Sequence, residues 1–154
     1  MEYIKATPNH AESIYELVRN TIKTIYPRYY PQEVVDFFCN HHNIDNIIAD
    51  IKDGHTYILL DNDTIIGTGS CIENHITRVF VSPDCQRNGF GSYIMTQLET
   101  EIGQKHSNIL LDASLAASRL YEHRGYKTLS HEQIEVDNGK ILVYEIMKKE
   151  LFCS

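Results

Sequence analysis

The chain has 154 residues, 42% of them apolar and 23% charged, which suits one globular domain (residues 1–154) with a usable core. Its formal net charge of −7 argues against a nucleic-acid-binding surface and is compatible with a small or cationic partner. No apolar stretch is long enough to span a bilayer, and Met1 leads straight into a strand-like run rather than a signal peptide, so a reducing cytoplasm is the simplest location.

In chain order, Tyr3–Ala6 reads as a first strand ended by Thr7-Pro8-Asn9. Ile14, Leu17, Val18, Ile22 and Ile25 make a helical stripe over Ala11–Ile25, with Asn9 or His10 as cap and Glu12 in the first turn. The run Tyr26-Pro27-Arg28-Tyr29-Tyr30-Pro31 breaks that pattern. A second helix is expected from Gln32 to about Cys39 and a short third over Asn43–Lys52, closed by an Asp53-Gly54 turn. Thr56–Leu60 and Thr64–Gly69 face each other across Asp61-Asn62-Asp63, a hairpin signal, and Cys71-Ile72-Glu73 prolongs the second arm. Ile76–Val81 is β-branched and aromatic, and Pro83 ends it. Ile94, Leu98 and Ile102, flanked by Met95, recur at helical spacing after Gly91. Asn108–Ala113 reads as a buried strand and Ala116–His123 as a short helix closed by Arg124-Gly125. Tyr126–Ser130 and Lys140–Met147 are the last strands, separated by Asp137-Asn138-Gly139. This succession implies an α/β fold, a mixed sheet with helices on both faces.

The most informative stretch lies between the central strand and its helix. Gln86 to Gly91 can turn its amides toward one point at the helix N-terminus, where partial positive charge gathers, and that is a site for phosphate. Glycine at Gly89 and Gly91 lets an anion approach the backbone and makes positive φ inexpensive. The segment lacks the Gly-Lys-Ser/Thr of a P-loop and the third glycine of the Rossmann fingerprint, which disfavours a nucleotide-binding α/β protein.

The run Val81-Ser82-Pro83-Asp84-Cys85-Gln86-Arg87-Asn88-Gly89-Phe90-Gly91 resembles the Val-x-Pro-x-x-Gln/Arg-x-x-Gly-x-Gly/Ala signature of the GCN5-related N-acetyltransferases. The resemblance is strong from His75 to Tyr126 and holds by pattern elsewhere. It implies the acyl-CoA N-acyltransferase fold, with a mostly antiparallel central sheet, and acetyl-CoA as co-substrate with no metal. The pyrophosphate would then lie on Gln86, Arg87, Asn88, Gly89, Phe90, Gly91 and Ser92. In that family the strand before the turn and the strand after its helix splay apart to admit the pantetheine arm; here these are Ile76–Val81 and Asn108–Ala113. The acceptor would be a primary amine, on a small molecule or on a peptide or protein.

Amine acetylation by direct attack needs a route for the amine proton, a donor to the thioester oxygen and an acid for the departing thiolate, but no covalent nucleophile. Leu120-Tyr121-Glu122-His123-Arg124-Gly125-Tyr126 resembles the family's Leu/Phe-Tyr-Glu-x-x-Gly-Phe/Tyr stretch, which makes Tyr121 the acid; a phenol with pKa of about 10 is protonated at neutral pH. The family's oxyanion contact is main chain, expected here from the N–H of Phe80 or Val81. His75 stands where several relatives carry a catalytic glutamate and is the favoured base. Glu73 is the second candidate, on the same face if the strand is continuous. Ser114 replaces an asparagine that contacts pantetheine in many relatives, and Ser118 follows one turn on; Ser114 also suits a helix N-cap.

Three features stay open on sequence alone. Tyr26–Pro31 either shapes an amine pocket by cation–π contact or packs as a rigid corner. Cys39, Cys71, Cys85 and Cys153 suit free thiols as well as disulfides, and His41-His42 with His55 makes no case for a metal. An exposed final strand would leave room for a homodimer. The rival in a different class is a non-catalytic acyl-CoA sensor or scaffold domain, which would keep Gln86–Gly91 without depending on Tyr121 or His75.

Overall fold

The computed structural model describes residues 1–151, so Cys153 lies outside the described residues. Seven strands form one sheet in the order β1-β2-β3-β4-β5-β7-β6. The strands are β1 (Glu2–Lys5), β2 (Thr56–Asp61), β3 (Thr64–Ile72), β4 (His75–Val81), β5 (Asn108–Ala113), β6 (Lys127–Glu135) and β7 (Ile141–Glu150). Every neighbouring pair is antiparallel except β4–β5. The final strand β7 is therefore interior, and the free edge at that end is β6, not the last strand of the chain.

Five α-helices cover the sheet: α1 (Ala11–Ile25), α2 (Gln32–His41), α3 (Ile44–Lys52), α4 (Phe90–Gly103) and α5 (Ser118–His123). The α1 stripe Ile14, Leu17, Val18 and Ile22 is buried and joins α2, α3, Ile58, Phe80 and Leu142 in one core. The other core is built on Ile94, Met95, Leu98 and Ile102 of α4, with Leu59, Ile76, Val81, Leu111 and Tyr121. Helices thus lie on both faces. Asn43 caps α3 by accepting from the Asn46 amide at 2.9 Å, which places the helix start one residue later than the pattern suggested. No helix among the described residues is long and apolar enough to cross a membrane.

Two glycines in β3 seat α4 against the sheet. A Cβ on Gly67 would come 2.8 Å from Ile94 Cδ1, and one on Gly69 would come 2.5 Å from Ile94 Cγ2. Bare backbone there allows the helix to lie close, and that fixes where its N-terminus points.

Candidate active site

The site begins where β4 leaves β5. The two strands pair only at His75↔Leu110 and Ile76↔Leu111, and beyond Ile76 they diverge. The closed end is pinned by the Leu110 amide donating to the Asn74 carbonyl at 2.9 Å and by Asn74 Nδ2 donating to Asn108 Oδ1 at 2.9 Å. Against β3 the register jumps from Cys71↔Ile76 to Ser70↔Arg78, which leaves Thr77 as an extra residue in β4. This bulge reverses the facing of the residues after it. Ile76 packs in the α4 core, while Phe80, four residues on, packs in the α1 core.

The bulge also decides which amides face the gap. Ser82 donates to Ile66 at 2.8 Å, so by antiparallel alternation Phe80 and Arg78 turn their backbone groups to β3, while Val79 and Val81 turn theirs to the opening. Of the two expected oxyanion donors, Val81 is on the open side; the Phe80 N–H belongs to the β3 ladder, and Val79 joins Val81 instead. The Val81 carbonyl accepts from Gln86 Nε2 at 3.0 Å, which ties the following loop to the strand end.

The loop takes positive φ at Gly89, as expected, but not at Gly91, which lies inside α4. Arg87 and Gly89 both have positive φ, 65° and 82°, and Gly89 is the N-cap of α4. A Cβ on Gly89 would meet nothing within 4 Å, so its surface is open, whereas a Cβ on Gly91 would lie 3.7 Å from Leu120 Cδ2 and 3.9 Å from Val81 Cγ2, ordinary contact distances. Among the described residues the amides of Phe90, Gly91 and Ser92 have no protein acceptor, and no acidic residue occupies the first turn of α4. Asn88 Nδ2 donates to the carbonyls of Cys85 and Gln86 at 3.1 and 3.3 Å, so Gln86 and Asn88 brace the loop with their side chains rather than aim them outward. A cleft of about 340 Å³ runs from Gln86, Arg87, Gly89 and Ser92 to Val81, Phe80 and Tyr26.

A second cavity of about 300 Å³ opens on the other side of the splay, and Tyr26, Val79, Phe80 and Ala117 line both. Tyr121 and His75 both line this second cavity. Tyr121 sits in α5, 7% exposed, edge-on to Tyr126 at 5.8 Å between ring centroids. Among the described residues the sealed side-chain atoms without a hydrogen bond are Tyr3 Oη and Arg78 Nη1. The Tyr121 hydroxyl has no protein partner either, so it opens into the cavity. Burial, and then the neighbouring Tyr26 phenol, push Tyr121 well above the usual range, so it stays protonated. Ser114 also borders this cavity, but it is not the N-cap of α5: Ala117 is, and the Ser114 carbonyl accepts from Ala117 and Ser118 at 3.1 and 2.9 Å. Ser118 starts α5 and lines neither cavity.

His75 lies at the closed end of the splay with Nε2 3.8 Å from Asp112 Oδ1 on β5. Glu73 does not share its face. The strand is broken there by a turn in which Glu73 has φ 53°, and its side chain borders a separate cavity with His55 and Glu101. The premise for Glu73 as a base therefore fails: a turn residue does not continue the alternation of the strand after it.

Sequence reasoning missed a buried polar cluster. His42, at the end of α2, is 8% exposed, edge-on to Phe80 at 5.3 Å, and it accepts from Arg78 Nε at 3.1 Å through Nδ1. Arg78 Nη1 lies 3.0 Å from Asp50 Oδ2, close enough for an ion pair but poorly aligned for a hydrogen bond. His42 and Arg78 both line the cavity of Tyr121. The available signal was an arginine inside an apolar strand, which needs a buried partner. In the Tyr26–Pro31 corner, Tyr26 and Tyr30 pack inward while Tyr29 is exposed. Tyr26 meets Phe38 edge-on at 4.9 Å, and Tyr30 Oη accepts from the Leu115 amide at 2.6 Å. Burial pushes the Tyr26 phenol up to about 12 against the opposing effect of Ser114.

Comparison with known proteins agrees with this geometry. The family model described as acetyltransferase (GNAT) domain matches residues 25–150. The uncharacterized N-acetyltransferase YafP of Escherichia coli (strain K12) is 28% identical over 79 residues, 51% of this chain and 50% of the relative; the match spans about half the length of that protein. A GCN5-related N-acetyltransferase structure from Rhodopseudomonas palustris superimposes with TM-score 0.87 at 22% identity, covering 97% of this chain and 95% of the other. The yncA putative acetyltransferase of Salmonella typhimurium, solved with acetyl-CoA, gives 0.74 at 18% identity, covering 100% and 95%. The likeness to the two solved structures extends over nearly the whole chain and is one of fold. The chain belongs to the GNAT acetyltransferase family.

Proposed function

We propose that the protein transfers the acetyl group of acetyl-CoA directly to a primary amine, carried by a small molecule or by a peptide or protein. The observation that carries this reading is the pair of cavities meeting at Phe80, with a phosphate-type loop on one and a protonated phenol on the other. The pyrophosphate lies on the free amides at the start of α4, with Arg87 adding charge. The pantetheine arm runs along the opened edge of β4, and the Val81 or Val79 N–H donates to the thioester oxygen as it gains negative charge. The amine nitrogen attacks the carbonyl carbon, the C–S bond breaks, and the thiolate takes the Tyr121 proton. The proton lost by nitrogen passes to His75, directly or through one water.

The acceptor cavity is small, with apolar walls from Phe37, Phe38 and Leu142. Its test is thiol release from acetyl-CoA with polyamines, aminoglycosides, amino acids and short lysine or N-terminal peptides. Stimulation by one amine class establishes the activity and names the acceptor class. Tight acetyl-CoA binding with no stimulation by any class turns the assignment toward a sensor domain, and no binding refutes the loop assignment.

A further inference from the structure

A third group of chemistry-bearing side chains lies away from both cavities. His55 in the turn before β2, Cys71 in β3 and Glu101 in α4 place one ring nitrogen, one sulfur and one carboxylate oxygen within 4.8 Å of one another. A point central to three atoms so spaced lies no more than about 2.8 Å from each, and small side-chain rotations close that to the roughly 2.0–2.3 Å of zinc–ligand bonds. Two of the three positions are fixed by backbone, because the Cys71 amide donates to the His55 carbonyl at 3.1 Å. The third is oriented by Tyr57, whose hydroxyl donates to Glu101 Oε1 at 2.8 Å and leaves Oε2 for another partner. Ligating carboxylates in metal sites are commonly held by an outer hydrogen bond of this kind.

We infer that His55, Cys71 and Glu101 form a binding site for a zinc-type divalent cation. The donor set fits such an ion: a thiolate and an imidazole suit a borderline-soft cation, and the thiolate and carboxylate together neutralise two positive charges. The surrounding cavity leaves room for a fourth ligand, with Glu73 and His106 on its wall and Lys105 also bordering it. Tyr3, stacked on Tyr57 at 5.2 Å, has a sealed hydroxyl without a partner. Glu101 stands ten residues past Gly91 on α4, about 15 Å along the helix axis, so the ion takes no part in acyl transfer. Its effect is mechanical: it ties the β2 entry, β3 and the C-terminal half of α4 together, and it holds the helix whose other end forms the phosphate loop.

The test uses the full chain, stripped with chelator and titrated with cobalt(II) chloride and then zinc chloride, with no acetyl-CoA present; failure here is therefore distinct from failure of the acyltransferase assignment. Cobalt should give a thiolate-to-metal absorption band saturating at one ion per chain, and zinc should displace it. Zinc at a hundred times its dissociation constant should raise Tm by about 5–10 °C. Cys71→Ser should remove the band, and His55→Ala, a change at a side chain that makes no protein hydrogen bond, should weaken binding at least tenfold with the circular dichroism unchanged. A band absent from the parent protein, or one kept in Cys71→Ser, overturns the site. If Cys71→Ser does not fold, His55→Ala decides, and undiminished affinity there overturns it equally.

Discussion

Arg78 in β4 donates through Nε to Nδ1 of His42 at the end of α2, 3.1 Å away, and so joins two elements that wall the cavity lined by Tyr121. An imidazole accepting from a guanidinium must be neutral, and burial, then the Arg78 charge, lowers the His42 pKa to about 2. The unfolded chain protonates this histidine near pH 6.5, so between there and the folded value it binds a proton that the native state refuses. Stability should therefore fall as pH falls below 6.5, by up to about 1.4 kcal/mol per pH unit from this group. Urea denaturation at pH 7, 6 and 5 measures it, and His42→Gln, which can still accept from Arg78, should flatten the slope. Equal slopes in the two proteins would mean that His42 is not the group responsible.

The two glycines of the loop should separate on substitution. Gly89→Val places a β-branched residue at φ 82° and should cost about 1–2 kcal/mol of stability, while acetyl-CoA affinity falls more than tenfold. Gly91→Ala adds a methyl within an α-helix at ordinary contact distance from Leu120 and should leave stability unchanged or raise it by about 0.5–1 kcal/mol. Its acetyl-CoA affinity should drop nonetheless if the loop holds the pyrophosphate, since a methyl there would occupy surface the phosphate approaches. Calorimetric titration beside thermal unfolding reads both, and a Gly91→Ala protein with parental affinity would place the phosphate elsewhere.

Tyr121→Phe removes a hydroxyl that has no protein partner and keeps the ring against Tyr126. Stability should change by less than about 0.5 kcal/mol. If the hydroxyl protonates the thiolate, kcat should fall about 10²- to 10⁴-fold with acetyl-CoA affinity held within about threefold. Parental turnover would return Tyr121 to the role of a packing residue.

Glu99 in α4 anchors the segment that presents Tyr121. It accepts from Tyr126 Oη at 2.9 Å and from Lys149 Nζ at 3.3 Å, and it pairs with Arg124 at the end of α5. Burial works against its carboxylate, but hydrogen bonds from Arg124 and Tyr126 and the charges of Arg124 and Lys149 outweigh it and hold the pKa below the usual range. The unfolded chain therefore takes up a proton at a higher pH than the native state. The stabilisation is fully present above the unfolded carboxylate pKa and is lost as pH falls through the folded one. Glu99→Gln should lower stability by about 2 kcal/mol at pH 7 and by less at pH 4. A deficit that stays constant between those pH values would count against the charge-based account.

Much of the site was legible because it is local in sequence. The Gln86–Gly91 loop needs only a strand, a glycine able to hold positive φ and a helix start, all within a few residues, and Gly89 adopts that φ. The α1 stripe and the buried strand Asn108–Ala113 come from periodicity alone and appear over the residues expected. Strands β6 and β7 extend well past the expected Tyr126–Ser130 and Lys140–Met147, to Glu135 and Glu150, because pairing rather than burial holds their polar ends: His131–Glu135 pair with Ile141–Glu145 of β7, and Lys148–Glu150 pair with Asn108–Leu110 of β5.

What sequence by itself determined about this protein is the ladder of elements, the phosphate-type loop and the family they define, since each depends on side-chain period or on backbone freedom within one short stretch. Tertiary structure alone decided which amides of β4 face the gap, because a one-residue bulge at Thr77 leaves no mark on hydrophobic period yet turns every later group over. It alone also brought together His42 with Arg78, and His55 with Cys71 and Glu101, residues separated along the chain by stretches that carry no information about their meeting. Such contacts are set by how helices and sheet pack in three dimensions, a property of the whole core rather than of any segment.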